Sequence, residues 1–561
     1  MTRKTRRHSR RRTAPSRRSA FVLVVVLIVI VLLSLLAAGY SLMVRSHVDT
    51  VETRIQSYQL RMAAEAGIQL AVTILRDRQG DLSAWYNNPD ELRAVPFDGA
   101  DEEGVATIDK ANEERTYDRT ADPIFRFSLI APDPDDPDKV RYGFTDECAR
   151  LDLNNATEQQ LRRLFNDVIP QTTEDAVDIN ILVDSLLDWR EAGDTARPNG
   201  AKDAWYGALY PPYRAKKAPF STVEELLLVR GFEGWIVYGE DYNQNGLLDP
   251  NEDDGDLSFP PDDGDGKLFQ GVARYFTIWS QEANASADGR PRIFLNLQDL
   301  EKLQEDLEEE FDSDIVSYII GVRSSGKTFN SVMNLLPAPP PPETDDTASD
   351  NTTPAQSGDS DATSQPADEN EEMTPEEFAD QIAGIQASEN TSTPPPSYAN
   401  LTEEEPPGTI EDLPLILDRL TVLPTPIFQG RINVSTAPKP VLRGLTDLSD
   451  AEVDAIIAAR RELSPAERSS PAWLLANGVL DENRFRQILD KVTTKASMYR
   501  IESVGYADHL GVIERILVIL QMRGPIPQVI YYRNLNALGP AYTPHGDETR
   551  GLRAGGAGSS N

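Results

Sequence analysis

The chain of 561 residues has one cysteine, Cys148, so no intrachain disulfide can brace it. Its four histidines, His8, His47, His509 and His545, are scattered, and no HExxH or GxSxG pattern occurs. The signatures of zinc proteases and serine hydrolases are therefore missing, and a catalytic role has little to rest on. Acids are absent from the leader, and bases are absent between Lys327 and Arg419. Net charge is −36 although the leader alone holds nine cations, so the remainder is more acidic still. Such a surface is repelled by nucleic acid and by anionic lipid.

What is present begins with Arg3, Lys4, Arg6, Arg7, Arg10, Arg11, Arg12, Arg17 and Arg18, followed by an uncharged run of 24 residues at 21–44. As a helix this run is about 36 Å long, enough to cross a hydrocarbon core of about 30 Å with some tilt. The basic flank is expected to stay cytoplasmic and the bulk of the chain to lie outside. Four leaders share this look. A secretory signal has a shorter apolar part, although Leu36-Ala37-Ala38-Gly39 offers small residues at its end. A twin-arginine signal is hinted at by Ser16-Arg17-Arg18. A plain signal anchor fits as well. The fourth, a type IV prepilin leader, is resembled by the Ala20-Phe21 junction, with alanine where glycine is commoner. Beyond the membrane run, Val48, Val51, Ile55, Tyr58 and Met62 recur at 3-4-3-4 spacing, which predicts a helix continuing unbroken to about Arg78.

The rest reads as an α+β fold: a modest antiparallel sheet with inserted helical modules. Strand-like runs occur at 125–130, 140–144, 275–279, 499–504 and 513–522. Three segments repeat one pattern: a short apolar strand with Asn near its end, two helices, Arg, then Phe or Ser before a Leu-rich turn. They start at Leu151, Ile293 and Ile432. The expected order is a basic leader (1–20), transmembrane helix (21–44), amphipathic continuation (45–80), strand-rich part (81–150) and first module (151–235). An acidic loop (236–270), second module (271–336), acidic and Pro-rich linker (337–408), third module (409–496), terminal strands (497–538) and tail (539–561) follow. The linker's composition cannot bury enough apolar surface to offset ordering entropy, so disorder is expected there and in the tail.

Asp146-Glu147, Leu187-Asp188-Trp189, Arg197-Pro198-Asn199-Gly200-Ala201, Tyr210-Pro211-Pro212-Tyr213, Pro219-Phe220-Ser221 and the run from Ile432 to Pro438 come in an order that resembles the minor pseudopilin K family of type II secretion. Ala64-Glu65-Ala66-Gly67 resembles a motif of minor pilin-like proteins. The resemblance implies a pseudopilin-like sheet carrying sterile-alpha-motif-like or helix-hairpin-helix-like modules. It implies cleavage between Ala20 and Phe21 by a prepilin peptidase, methylation of the new N-terminus, and one inner-membrane span with the bulk periplasmic. Implied partners are the I- and J-type minor pseudopilins and the major pseudopilin, with no nucleic acid. Most pseudopilins have Glu at the fifth mature residue, where this chain has Val25. A subunit at the filament tip has no neighbour above it to pair with that acid, so the resemblance implies a tip position that caps or initiates the filament. A type IV pilus minor pilin is the alternative that leader and helix alone leave open.

One loop points to a metal. Asp241, Asn243, Asn245, Asp249 and Glu252 occupy positions 1, 3, 5, 9 and 12 of a twelve-residue calcium loop, Gly246 occupies position 6, and Leu247 offers its carbonyl at position 7. Ca²⁺ takes six to eight hard oxygens, which this set can supply. The family includes calcium binders, and an ion would staple a long loop in a chain without disulfides. Asp253, Asp254, Asp256, Asp262, Asp263 and Asp265 offer ligands for a second ion.

Three other patterns compete. Gly321-Val322-Arg323-Ser324-Ser325-Gly326-Lys327-Thr328 fits P-loop spacing but lacks a strand-loop-helix context, so a structural loop is expected. Asp188 with Glu191 reads as solvated helix carboxylates rather than a catalytic pair. The segment from Ile432 is similar to helix-hairpin-helix proteins of DNA uptake, yet its hairpin at 445–450 carries two acids and no glycine, which argues against phosphate contact.

Overall fold

The computed structural model describes residues 18–97, 108–109, 114–115, 125–136, 139–170, 177–257, 262, 264–338, 405–507, 512–524 and 526–539. The leader before Arg18, the linker at 339–404, the tail from 540 and the side chains of Ala20 and Phe21 lie outside the described residues.

Helix α1 (Arg18–Arg78) runs for 61 residues, about 90 Å at the α-helical rise. It contains no proline, and its Val24–Arg78 portion is long and apolar enough to cross a membrane. The stripe of Val48, Val51, Ile55, Tyr58 and Met62 does not meet the sheet; each of these side chains is more than half exposed. A different stripe does. Leu60, Ala64, Ile68, Ala71 and Leu75 are buried, and they lie about 200° around the helix from the exposed set. The segment 60–78 is thus amphipathic in the usual sense, while 44–62 presents a second apolar face with no partner among the described residues.

The buried face packs on a seven-stranded sheet built from β1 (Val95–Pro96), β2 (Phe125–Pro132), β3 (Val140–Tyr142), β4 (Thr145–Asp146), β5 (Met498–Ala507), β6 (Ile513–Arg523) and β7 (Ile526–Asn534). Its main path is β1-β2-β5-β6-β7, all antiparallel, with β3 paired to β2 and β4 paired to β5. Central β5 sets Gly505 opposite Phe127 and Glu514. Residues from the two halves of the chain are therefore neighbours, and the sheet closes only when both have arrived. Small residues let α1 sit close. A Cβ on Gly505 would strike the Leu60 carbonyl and Ala64, and one on Gly67 would strike Ser503 and Phe127. The 64–67 motif is the point where helix and sheet approach most tightly.

Between β4 and β5 lie the modules. Each opens on a two-residue strand that pairs in parallel with a strand closing it: Leu151–Asp152 with Phe276–Thr277, Ile293–Phe294 with Leu420–Thr421, and Ile432–Asn433 with Val492–Thr493. The fourth residue of each, Asn154, Asn296 or Ser435, donates to a carbonyl at the far end of the module, on Phe220 (3.1 Å), Phe329 (2.8 Å) and Arg468 (3.1 Å). Helices α2 (Glu158–Val168) and α3 (Ile179–Arg190) build the first module, α4 (Leu300–Glu308) and α5 (Ser313–Ser324) the second, and α6 (Asp450–Glu462) and α7 (Glu482–Ile488) the third. An arginine late in α3, α5 and α6 donates back to the strand-end carbonyls. Arg190 reaches Leu153 at 2.7 Å, Arg323 reaches Leu297 at 3.1 Å, and Arg460 reaches Ala437 at 2.6 Å. A fork of fixed N–H donors suits that double task better than a flexible ammonium.

Two expected boundaries move. Residues 409–421, read as the start of the third module, complete the second: Leu413, Ile416 and Leu420 are buried in the shared core, and Leu420–Thr421 closes the strand pair. The acidic linker therefore interrupts the second module rather than separating two modules. Likewise the acidic loop at 236–270 lies inside the first module, which Phe276–Thr277 closes. The strand-like run at 275–279 does hold a strand, but its parallel partner is Leu151–Asp152, so it closes the first module rather than opening the second.

Replacing Gly505 by Ala should destabilise the fold by about 1–3 kcal/mol, since the backbone atoms it would strike cannot turn away. Gly39→Ala, with open space around it, should be neutral. Denaturant unfolding of both variants in detergent checks the pair; equal stability would mean that α1 is not seated on β5.

Candidate metal centre

The loop is cinched at its neck. The Glu240 N–H donates to Phe269 O at 2.7 Å, and the Phe269 N–H donates to the Glu240 carboxylate at 3.1 Å. Gly239 and Gly271, both at positive φ, pass each other so closely that a Cβ on either would strike the other strand of the neck. Inside, all six proposed donors are buried. Asp241, Asp249 and Glu252 are 4%, 3% and 1% exposed, Asn243 and Asn245 are buried beside them, and Leu247 anchors the loop in the core under the sheet. Gly246 turns the chain at φ +75°.

Backbone N–H groups fold around the carboxylates as they do in a calcium loop. Asp241 accepts from Asn245 (3.0 Å) and Gly246 (2.9 Å), and Glu252 accepts from Tyr242 and Asp249, each at 3.0 Å. The amide nitrogens of Asn243 and Asn245 both donate to Asp249, at 2.6 and 3.0 Å. The oxygens of the same amides accept backbone N–H groups, Asn243 from Asn245 at 2.9 Å and Asn245 from Leu247 at 2.6 Å. Accordingly, among the described residues no three His, Cys, Asp or Glu side chains converge on one metal position. The donors fit Ca²⁺ in kind, number and order.

Burial pushes the Glu252 carboxyl up to about 8, against its backbone hydrogen bond and with the Asp241 and Asp249 charges adding to it. Burial likewise pushes Asp241 up to about 6, opposed by Arg274 and by the Gly246 and Asn245 N–H groups. Carboxylates taken out of water, as Asp241 and Glu252 are here, favour protons, or a cation, over ionisation. Two cations flank the loop from outside it. Arg274 lies over Gly246, where a Cβ would strike its guanidinium, and Arg515 on β6 donates to the Asn243 carbonyl at 2.8 Å. Neither is legible as part of the site in the sequence. Arg515 is 272 residues from Asn243, and no local pattern announces it.

The second-ion carboxylates are occupied in turns. Asp262 accepts from the Asp254, Gly255 and Gly264 N–H groups, Asp253 from Gly266, and Asp265 pairs with Lys267. The side chains of Asp256 and Asp263 lie outside the described residues.

The P-loop-like run starts inside α5 and ends in a turn at Gly326, so the helix precedes the loop and no phosphate cradle forms. Asp188 is 1% exposed and accepts from the Arg197 N–H at 3.0 Å, while Glu191 pairs with the Arg197 guanidinium at 2.8 Å. Both acids fasten the 197–201 segment to α3, and Asp188 is buried rather than solvated. Asp184 accepts from Asn199 alongside them. Trp189 stacks edge-on to Tyr206 and Tyr213, with centroids 5.3 and 6.4 Å away. The hairpin at 445–450 is covered by the first module: Arg163 on α2 donates to the Arg443 and Leu448 carbonyls, each at 3.1 Å, and Asp167 pairs with Arg443.

Residues 147–237 match the family model for protein K of the type II secretion system. No curated protein matches the chain. A solved structure, the GspK-GspI-GspJ complex from the enterotoxigenic Escherichia coli type 2 secretion system, aligns at 10% identity over 86% of this chain and 99% of the solved chain, with a TM-score of 0.33. The matched segment covers the part of the first module that holds its 187–189 run, its 197–201 fastening and its aromatic stack, and it ends before the acidic loop and the closing strand.

Proposed function

We propose that the chain is the minor pseudopilin at the tip of a type II secretion pseudopilus, where it initiates or caps assembly rather than catalysing a reaction. The observation that carries this reading is the match of the first module to protein K. The apolar face of α1 supports it. Val48, Val51, Ile55, Tyr58 and Met62 stand exposed beyond the membrane run, on the side away from the sheet. I- and J-type minor pseudopilins are the proposed partners for this face. Val25 supports the tip position, since a chain without the buried acid has nothing to offer a neighbour's N-terminal amine above it. The bulk of three modules attached to one helix would also obstruct a filament shaft. In this reading a prepilin peptidase in the inner membrane cuts between Ala20 and Phe21, and the modules lie in the periplasm.

Calcium belongs to the same reading. Asp241, Asn243, Asn245, Asp249 and Glu252 would hold the ion with the Leu247 carbonyl, and bound Ca²⁺ would supply the charge that the three carboxylates lack. The neck at 239–240 and 269–271 then joins a loop fixed at both ends, and Leu247 ties it to the sheet.

Three outcomes are expected. Arginine at Val51 or Ile55 should abolish co-purification with the I- and J-type subunits while leaving the melting temperature unchanged; retained co-purification would remove the docking role of this face. N-terminal sequencing of the membrane-embedded protein should start at a methylated Phe21, and an intact Met1 would count against the prepilin reading. Calcium should raise the melting temperature, and Asp241→Ala should remove the rise. The carboxyls of Glu252 and Asp241 keep protons in the folded state that they release in the unfolded state, so the ion-free protein loses stability as pH rises toward about 8. The calcium increment should therefore grow between about pH 5 and about pH 8, and Glu252→Gln should flatten it. Calorimetry and thermal unfolding with and without chelator measure this, and a calcium-independent melting temperature would sink the metal assignment.

A further inference from the structure

Two cavities, of about 220 and about 450 Å³, lie back to back where the sheet, the first module and the third module meet. Each is several-fold larger than the roughly 30 Å³ share of one water. Pro132 and Thr145 of the sheet line both, and Pro438 and Ile457 close the larger from the third module. Arg150 and Arg274 of the first module also line both cavities, part-buried, and among the described residues neither guanidinium makes a hydrogen bond or an ion pair.

The other cations on these walls are matched. Arg500 pairs with Glu147 at 2.8 Å, Arg533 with Glu224 at 3.4 Å and Lys439 with Asp454 at 2.5 Å, while Arg461 donates to the Asp135 carbonyl at 3.0 Å. Arg141 donates to the Pro132 carbonyl and to Thr145. Arg150 and Arg274 repel one another, and the acids that oppose this, Glu147 and Asp146 at Arg150 and Asp241 at Arg274, act on them without a hydrogen bond or an ion pair. Burial, together with Arg500 and Arg274, pulls Arg150 down to about 9. A part-buried guanidinium without a hydrogen-bond partner carries a desolvation cost that a bound anion would offset. The acids on the same walls are engaged, Glu224 with Arg533, Glu502 with Arg515, Asp135 with Arg460, Asp454 with Lys439, and Asp241 and Asp133 with backbone N–H groups, while remote surface acids are screened over about 8 Å at physiological salt.

We propose that Arg150 and Arg274 form an anion-binding site, taking a small oxyanion of the phosphate or carboxylate class into the cavity between the sheet and the first and third modules. The guanidinium fork suits either group. An anion there joins three parts of the fold that otherwise meet across empty space, so its effect is a stiffer relation between the sheet and the modules. The site is separate from the calcium loop in chemistry, although Arg274 borders both.

The test uses the full chain in detergent, with chelator present throughout so that calcium plays no part. Chloride is exchanged for inorganic phosphate, or for succinate, at constant ionic strength, and thermal unfolding is followed for the wild type, Arg150→Gln and Arg274→Gln. General salt stabilisation moves all three alike. The site predicts an additional, saturable rise of several degrees in the wild type alone. Without the anion, Arg150→Gln should be at least as stable as the wild type, since it removes an unmatched charge. A rise with phosphate only identifies a phosphoryl ligand, and a rise with succinate identifies a carboxylate. No saturable rise in the wild type with either anion, or an equal rise in both variants, overturns the site. If a variant fails to fold, calorimetric titration of the wild type with phosphate and with succinate decides: saturable heat supports the site, and its absence with both removes it.

Discussion

The close seating of α1 on β5 is the contact on which the rest of the molecule depends. Helix and strand approach until the Leu60 carbonyl lies against Gly505, and only residues without bulk, Ala64, Gly67 and Gly505, permit it. On this seat the sheet acquires its second layer, with Ile68, Ile74 and Leu75 covering Leu129, Ile501 and Val518. Because α1 is one continuous helix, the same contact fixes the direction of the membrane segment relative to everything after residue 80. A slip of one residue along either element would bring side chains of ordinary size to the contact, so the seat sets the register as well as the distance.

Much of this architecture could be read in the sequence where periodicity is strong. The long helix, the strands at 125–132, 498–507 and 513–523, and the α+β class with inserted modules follow from apolar spacing and from the recurring strand-end Asn. Other features have no local signal. The stripe at 48–62 reads as a packing face and is an exposed one, because a helix with two apolar faces does not announce which one the sheet takes. The run at 275–279 reads as a strand but not as the one that closes the first module, and the strand at 420–421 is too short to have a period, so the first two modules extend further than their sequence suggests. In the candidate site, ligand order is legible because calcium chemistry fixes the spacing, whereas Arg274 and Arg515 come from other elements. Asp188 is readable as an acid on a helix but not as a buried one, since Arg197 reaches it only through the fold.

Arginine does in this chain much of what disulfides do elsewhere. Arg190, Arg323 and Arg460 gather strand-end carbonyls in the three modules, and Arg163 fastens the third module to the first. Arg486 on α7 reaches the Met333 and Pro337 carbonyls at 2.8 and 3.0 Å, fastening the third module to the second. Each of these bonds is charge-assisted and directed at groups that would otherwise be buried without a donor. The strongly acidic balance of the chain is thus a property of its surface and linker, while its interior ties are basic.

The point at which the second module is interrupted has a consequence of its own. The chain departs after Ala338 and returns at Glu405, and the Gly408 N–H meets the Leu335 carbonyl at 2.9 Å. Exit and re-entry are side by side, so the 66 residues between them span no distance that the fold must maintain. Each doubling of such a segment costs only about 0.6 kcal/mol in closure entropy. Its length and composition are therefore free to drift in evolution without any readjustment of the modules, and a sequence of wholly different character can be carried at this place as cargo of the fold rather than as part of it.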